Sequence, residues 1–224
     1  MYYTKRLKAM KGFILIGAVA AAAVCAPAAA EAVCPQVGVR LDMELTFPAS
    51  DVYNTGAGVN AGLVARFDLP KRFFIEPGVV LSYSAMSSKD LITFDDDYFY
   101  EGAAKFYTLR VPVMVGYTIP LAPALEMAVS TGPYVNFNIW GRQQLQPNLS
   151  APDPLPAYKI NLFDHGWKRV DAGWSIKLGV TFAKSYYVGV TGGVSFTPLA
   201  RYGNGDKKVR VHRNTLAISL GYNF

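Results

Sequence analysis

The chain has 224 residues, 51% of them hydrophobic, 13% aromatic and only 17% charged, with 22 Lys and Arg against 16 Asp and Glu and two Cys. That length suits one domain or one barrel; disorder, a collagen-like repeat and a disulfide scaffold are excluded by the apolar fraction and the Gly and Cys counts. The formal charge of +6 suggests nucleic acid only if the cations gather on the folded part of the chain.

The first element is a targeting segment. Lys5, Arg6, Lys8 and Lys11 precede an uncharged stretch from Gly12 to Val24, and small residues lead to Ala28-Ala29-Ala30 and Ala30-Glu31-Ala32. Basic, apolar and small-residue regions in that order make a secretory signal peptide, so residues 1–32 are expected to be cleaved and 33–224 to form the mature domain. The signal holds four of the cations and Glu31, which leaves 192 residues at +3 with Cys34 as the one cysteine. No internal disulfide can then form, and a large core or a membrane must stabilise the exported chain.

Beyond residue 32 no uncharged apolar run is long enough for a helical membrane span. Period-two alternation, the strand signal, recurs instead. It predicts eight strands at 36–46, 57–69, 72–85, 105–119, 124–141, 167–183, 186–198 and 211–224. In the last, Leu216, Ile218, Leu220, Tyr222 and Phe224 share one face, and Thr215, Ala217, Ser219, Gly221 and Asn223 the other. Short turns near Pro70-Lys71, Pro120 to Pro123 and Lys184-Ser185 alternate with longer loops near 47–56, 86–104, 142–166 and 199–210. This is the pattern of an all-β, eight-stranded antiparallel up-and-down transmembrane β-barrel. Pro112 and Pro133 fall inside strands, where a missing donor suggests bulges or bends.

A soluble barrel buries its apolar face, whereas a membrane barrel turns it to lipid. Here the polar face is rich in small residues with isolated charges, and apolar-face aromatics gather at strand ends. Phe67, Phe73, Tyr117, Phe182, Tyr186, Tyr222 and Phe224 lie toward the short turns; Trp140, Trp167, Tyr107 and Phe196 lie toward the long loops. Two such girdles mark membrane interfaces. The terminal Phe224 on an alternating last strand is similar to the signal by which bacterial outer-membrane barrels engage their assembly machinery. The expected location is the bacterial outer membrane.

The polar face places Arg40, Arg66, Arg110, Arg169 and Lys177 in the lumen with Asp42, Glu44, Asp68, Glu76, Glu126 and Asp171. An eight-stranded barrel is narrow enough for side chains to fill, and buried charges demand partners, so a salt-bridged plug is expected. Asp95, Asp96 and Asp97, with Asp90 and Glu101 nearby, form an acidic cluster without calcium-loop spacing. Lys207, Lys208 and Arg210, with Arg213, flank the last long loop; on an outer surface they suit lipopolysaccharide phosphates. The basic cluster lacks any nucleic-acid motif, so nucleic acid is not an expected partner.

Catalysis is not expected. His212 falls on the lipid parity and Ser195 on the lumen parity, so a Ser–His pair does not converge, and no P-loop, G-x-S-x-G or zinc spacing is present. No cofactor or metal is expected either.

Several segments together resemble the PorT-like outer-membrane β-barrel domain family of Bacteroidota. They are Tyr107-Thr108-Leu109-Arg110-Val111-Pro112-Val113, Gly132-Pro133-Tyr134-Val135, Arg169-Val170-Asp171-Ala172-Gly173 and the closing Leu220-Gly221-Tyr222-Asn223-Phe224. Arg110 departs from the family pattern, where an acidic residue is frequent. The resemblance implies an outer-membrane barrel, gives both prolines family positions, and carries over no catalytic residue; a few members assist secretion and gliding machinery. The expectation is therefore a monomeric barrel with a filled lumen and a structural or accessory role in membrane integrity, surface interaction or support of a secretion complex. Its long loops would carry any partner. A narrow channel or small-ligand barrel, and a lipid-modifying enzyme, are the alternatives.

Overall fold

The computed structural model describes residues 34–49, 53–87, 92–93, 99–147, 158–164, 166–202 and 209–224. The signal segment, Asp90, the Asp95–Asp97 cluster, Lys207 and Lys208 lie outside them.

Eight strands form the wall: β1 (Gln36–Ala49), β2 (Gly56–Asp68), β3 (Phe73–Ser87), β4 (Phe99–Ala122), β5 (Leu125–Pro147), β6 (Val170–Phe182), β7 (Tyr186–Ser195) and β8 (Val209–Asn223). Each pairs antiparallel with its sequence neighbours. The sheet closes where β1 meets β8, from Gly38 opposite Asn223 to Ala49 opposite His212. Closure removes sheet edges that could not be hydrated in lipid.

The apolar parity faces out. On β8 Ile218 and Leu220 are 60% and 61% exposed, whereas Ala217 and Ser219 are each 4% exposed. A water-soluble barrel would show the reverse. The outward aromatics mark two levels. Phe73 packs on Tyr117 with ring centroids 5.2 Å apart, and Tyr222 packs on Tyr186 at 5.5 Å and on Phe224 at 5.2 Å, all beside the short turns. At the other end Tyr107 packs on Tyr83 at 5.1 Å and on Trp140 at 5.4 Å. Tyr107 and Tyr117 are ten residues apart on β4. At ~3.4 Å per residue and a tilt of ~40° they stand ~26 Å apart along the barrel axis, the height of an outer-membrane apolar band. Phe67 is half-buried on the outward parity, whereas Trp167 is buried and does not join the exposed girdle.

Strand ends differ from expectation chiefly in β4 and β5, which run about six residues farther outward than their alternation indicates. Short strands Ile92–Thr93 and Tyr158–Asn161 flank this extension, and Ala200–Tyr202 pairs with β8. Neither proline bends its strand out of register: Val111–Val135 and Val115–Thr131 keep one register around Pro112, and pairing with β6 runs unbroken through Pro133. The register shifts instead at Tyr107/Thr108 and at Pro120/Ala122. Two short turns are tight, with left-handed backbone at Lys71 and Arg72 (φ 62° and 66°) and at Ala183 and Lys184 (φ 48° and 62°). Mirror-image turns of this kind match the twist of the strands they join.

Candidate functional site

The lumen is filled in layers. Nearest the short turns, Arg66 Nε donates to Asp68 Oδ1 at 2.8 Å, and its other arm donates to Thr118 Oγ1 at 2.6 Å. The guanidinium lies 4.2 Å from the centre of the Phe74 ring. Asp68 is largely exposed, so this pair belongs to the rim. Glu126 is half-buried at the same rim and, among the described residues, makes no ion pair.

The next layer centres on Glu76, which accepts a hydrogen bond from Lys177 and lies 3.9 Å from Arg40. The Arg40 guanidinium sits 4.1 Å from the centre of the Tyr187 ring. The ring fits because Gly179 and Gly189, directly paired across β6 and β7, leave no Cβ in its place.

The third layer is a continuous chain across six strands. Asn60 donates to Glu44 at 3.2 Å, and Arg110 donates to both Glu44 oxygens at 2.7 and 3.4 Å and to Asn136 at 3.0 Å. Asn136 donates to Asp171 at 2.8 Å, and the other Asp171 oxygen accepts from Arg213 at 2.7 Å and Asn138 at 3.1 Å. Thr108 closes the set on Asn138 at 2.8 Å. Between the second and third layers lies a cavity of about 70 Å³, with Arg40, Asp42, Glu76, Arg110, Lys177 and Tyr187 among its walls. Its size and polarity suit a few water molecules. Within these two layers four cations (Arg40, Arg110, Lys177, Arg213) face four carboxylates (Asp42, Glu44, Glu76, Asp171).

Above them the lumen turns apolar. Tyr53, Met86, Phe106, Leu162, Trp167, Leu199 and Val211 form one buried cluster, with Trp167 5.6 Å from Tyr53 and 4.8 Å from Phe106, ring centre to ring centre. This cap is drawn from inward strand positions and from the long connections, on the long-loop side of the charged layers.

Two expected assignments are overturned here. Arg169 is exposed and stacks on Phe163 at 4.4 Å, outside the lumen, because β6 begins only at Val170. Arg213, read as part of a surface cluster, is 2% exposed and pairs with Asp171. Its parity with Thr215 and Ala217 is the signal that identifies it. Arg210 stays exposed at the start of β8. Ser195 Oγ donates to the Thr197 carbonyl at 2.7 Å, while His212 Nδ1 lies 3.1 Å from the Ser195 carbonyl oxygen. The two side chains are thus not paired as base and nucleophile. Among the described residues no group of three acidic, His or Cys side chains could hold a metal.

The match to a family model covers residues 16–224, under the description outer membrane protein beta-barrel domain. The chain belongs to that family. Its members' location, the bacterial outer membrane, agrees with the outward apolar face and the two girdles. No curated protein sequence matches the chain. Among solved structures this barrel is similar to Ail, the attachment invasion locus protein of Yersinia pestis, at 11% identity and a TM-score of 0.40, covering 85% of this chain and 99% of Ail. It is also similar to Neisserial surface protein A, at 10% identity and 0.42, with 84% and 97% covered. A third is the outer membrane enzyme PagL, at 11% and 0.45, with 81% and 97% covered.

Proposed function

We propose that this outer-membrane barrel is a non-conducting, non-catalytic anchor that carries its outer extension at the cell surface. Its role is structural or accessory: membrane integrity, surface interaction or support of a secretion complex. The filled lumen carries this reading. A charged layer bonded across six strands and an apolar cap stand in series along the one path a solute could take. Opening that path would break buried ion pairs and leave charged partners stranded in the wall.

The second support is the β4–β5 hairpin. From the Tyr107–Trp140 level it continues eight residues to Phe99, ~27 Å of strand beyond the apolar band. A membrane anchor needs no such extension; a partner-facing surface does. The PorT-like motifs agree with an accessory role, and the chain is proposed to work as a monomer. The alternating strand β8, with Leu220 and Tyr222 on its outward face, is proposed as the feature read by the assembly machinery.

Planar-bilayer recording of the purified barrel tests the reading. We expect no steady single-channel openings; openings that persist across preparations would replace the anchor by a narrow channel. Turnover of labelled phospholipid or lipopolysaccharide, abolished by His212→Ala, would replace it by an enzyme.

A further inference from the structure

The outer rim carries cations that the lumen does not use. Lys105 on β4 lies directly opposite Arg142 on β5. Lys159, on the short strand Tyr158–Asn161, lies opposite Gln144, one pleat farther out and diagonal to Arg142. All three share the outward face. A bulge puts them there. Tyr107 faces Trp140 and Thr108 faces Asn138, which leaves Ile139 as the extra residue. Ile139 and Trp140 are both exposed, and past them the faces of β5 invert: Gly141 and Gln143 are buried and Arg142 is exposed. Without the extra residue Arg142 would point inward.

Left to themselves, these cations destabilise the hairpin, since like charges directly opposite on paired strands repel. Nothing described relieves them. Ala85 is the other neighbour of Lys105, Asn161 the other neighbour of Arg142, and Ala103 lies opposite Gln144. Among the described residues none of the three cations makes an ion pair. The next acidic residue along β4, Glu101, stands opposite Gln146, four residues outward of Lys105.

Depth supplies the second observation. The Arg142 guanidinium lies 5.1 Å from the Trp140 ring centre, and Trp140 packs on Tyr107. That aromatic pair marks the hydrocarbon boundary. One pleat outward is ~7 Å along the strand and ~5 Å along the membrane normal, the level of lipid headgroups.

We propose that Lys105, Arg142 and Lys159 bind the phosphate of an outer-leaflet glycolipid of the lipid A type, with Trp140 and Tyr107 bordering its acyl region. The phosphate would turn a repulsive cross-strand pair into a bridged one. This assignment depends on the barrel's place in the outer membrane and not on a closed lumen, so channel openings would leave it standing.

Native mass spectrometry of the full barrel in detergent, titrated with bisphosphorylated lipid A, tests it. The triple variant K105Q/R142Q/K159Q is expected to bind roughly tenfold or more weakly. Dephosphorylated lipid A should bind the wild type as weakly, and K71Q/R72Q/K184Q, at the opposite rim, should bind like wild type. Equal binding by wild type and the triple variant, or equal loss in the opposite-rim variant, overturns the site. Displacement of the lipid by millimolar inorganic phosphate would identify a free-anion site and overturn the headgroup assignment. Lys105→Glu separates binding from folding: it should abolish lipid binding while raising the urea midpoint, because it sets opposite charges across β4 and β5. A lowered midpoint would refute the repulsion on which the proposal stands.

Discussion

Arg110→Ala probes the lumen most directly. The wild-type guanidinium is 12% exposed and neutralises Glu44, whose side chain is 1% exposed. The substitution removes two hydrogen bonds to Glu44 and one to Asn136, and leaves the carboxylate with Asn60 alone. Removing one member of a buried pair costs about 3–5 kcal/mol. The adjoining cavity of about 70 Å³ gives water a route to the stranded charge, which points to the lower end, about 3 kcal/mol. Glu44→Gln should cost a similar amount, because it strands Arg110 instead. Arg110→Met alone should cost about as much as Arg110→Ala, while the double variant Arg110→Met/Glu44→Gln removes both charges and should lose only ~1–2 kcal/mol, a coupling of ~4 kcal/mol between the two sites. The assay is urea unfolding in lipid vesicles, followed by tryptophan fluorescence and by the heat-dependent gel shift. A single-variant loss below ~0.5 kcal/mol, within the range of ordinary surface changes, or simple additivity in the double variant, refutes the reading of a load shared across the lumen.

Three further outcomes follow from the wall and its turns. Trp174 Nε1 donates to Thr131 Oγ1 at 2.6 Å, and that hydroxyl donates to the Ser175 carbonyl at 2.9 Å, all on the lipid face. Thr131→Val leaves the indole donor in hydrocarbon and should cost ~1–3 kcal/mol in the same unfolding assay, recovered when Trp174 is also made Phe. Gly179→Ala places a methyl where the Tyr187 ring lies and should cost ~1–3 kcal/mol; a neutral result would mean that the ring is free to move. The left-handed pair Ala183-Lys184 replaced by Asn-Gly should gain about 1 kcal/mol, read as a higher urea midpoint, since these residues adopt the turn without strain.

The barrel was legible because one physical rule, apolar outward at every second position, holds through the band from Tyr117 to Tyr107. Residues of the lumen were legible for the same reason: Arg40, Glu44, Glu76, Arg110, Asp171 and Lys177 all fall on the inward parity, and all enter the network. What parity alone cannot carry is depth. Asp68, Glu126 and Arg169 have the inward parity but lie at or beyond the rims, where water competes for them. Arg213 was hidden by its neighbours, since a basic run near a loop resembles a surface patch until the strand register is followed inward. The Ile139 bulge was hidden because a single inserted residue leaves composition and local hydropathy unchanged while inverting every face beyond it.

On other strands the facing parity holds, but the kind of residue on each face changes, and that change has one cause. Inside the bilayer the outside of the wall is hydrocarbon and the inside holds paired charge, so Leu81, Leu109 and Ile218 face out while Ser82, Thr108 and Ser219 face in. Beyond the bilayer both sides of the wall meet water, and the most apolar place available is the interior. The pattern therefore reverses: Met86, Phe106 and Val211 turn inward to the cap, while Ser87, Lys105 and Arg210 turn outward. The reversal on β4 falls between Tyr107 and Lys105, the level that the aromatic pair and the cationic rim mark independently. Above that level the described residues have an apolar core of their own, as a small soluble domain does. Among the described residues the outer extension is thus held by packing of its own. Trp167→Ala should accordingly loosen the outer extension, read as faster proteolysis of the long connections, while leaving the heat-dependent gel shift of the membrane barrel intact.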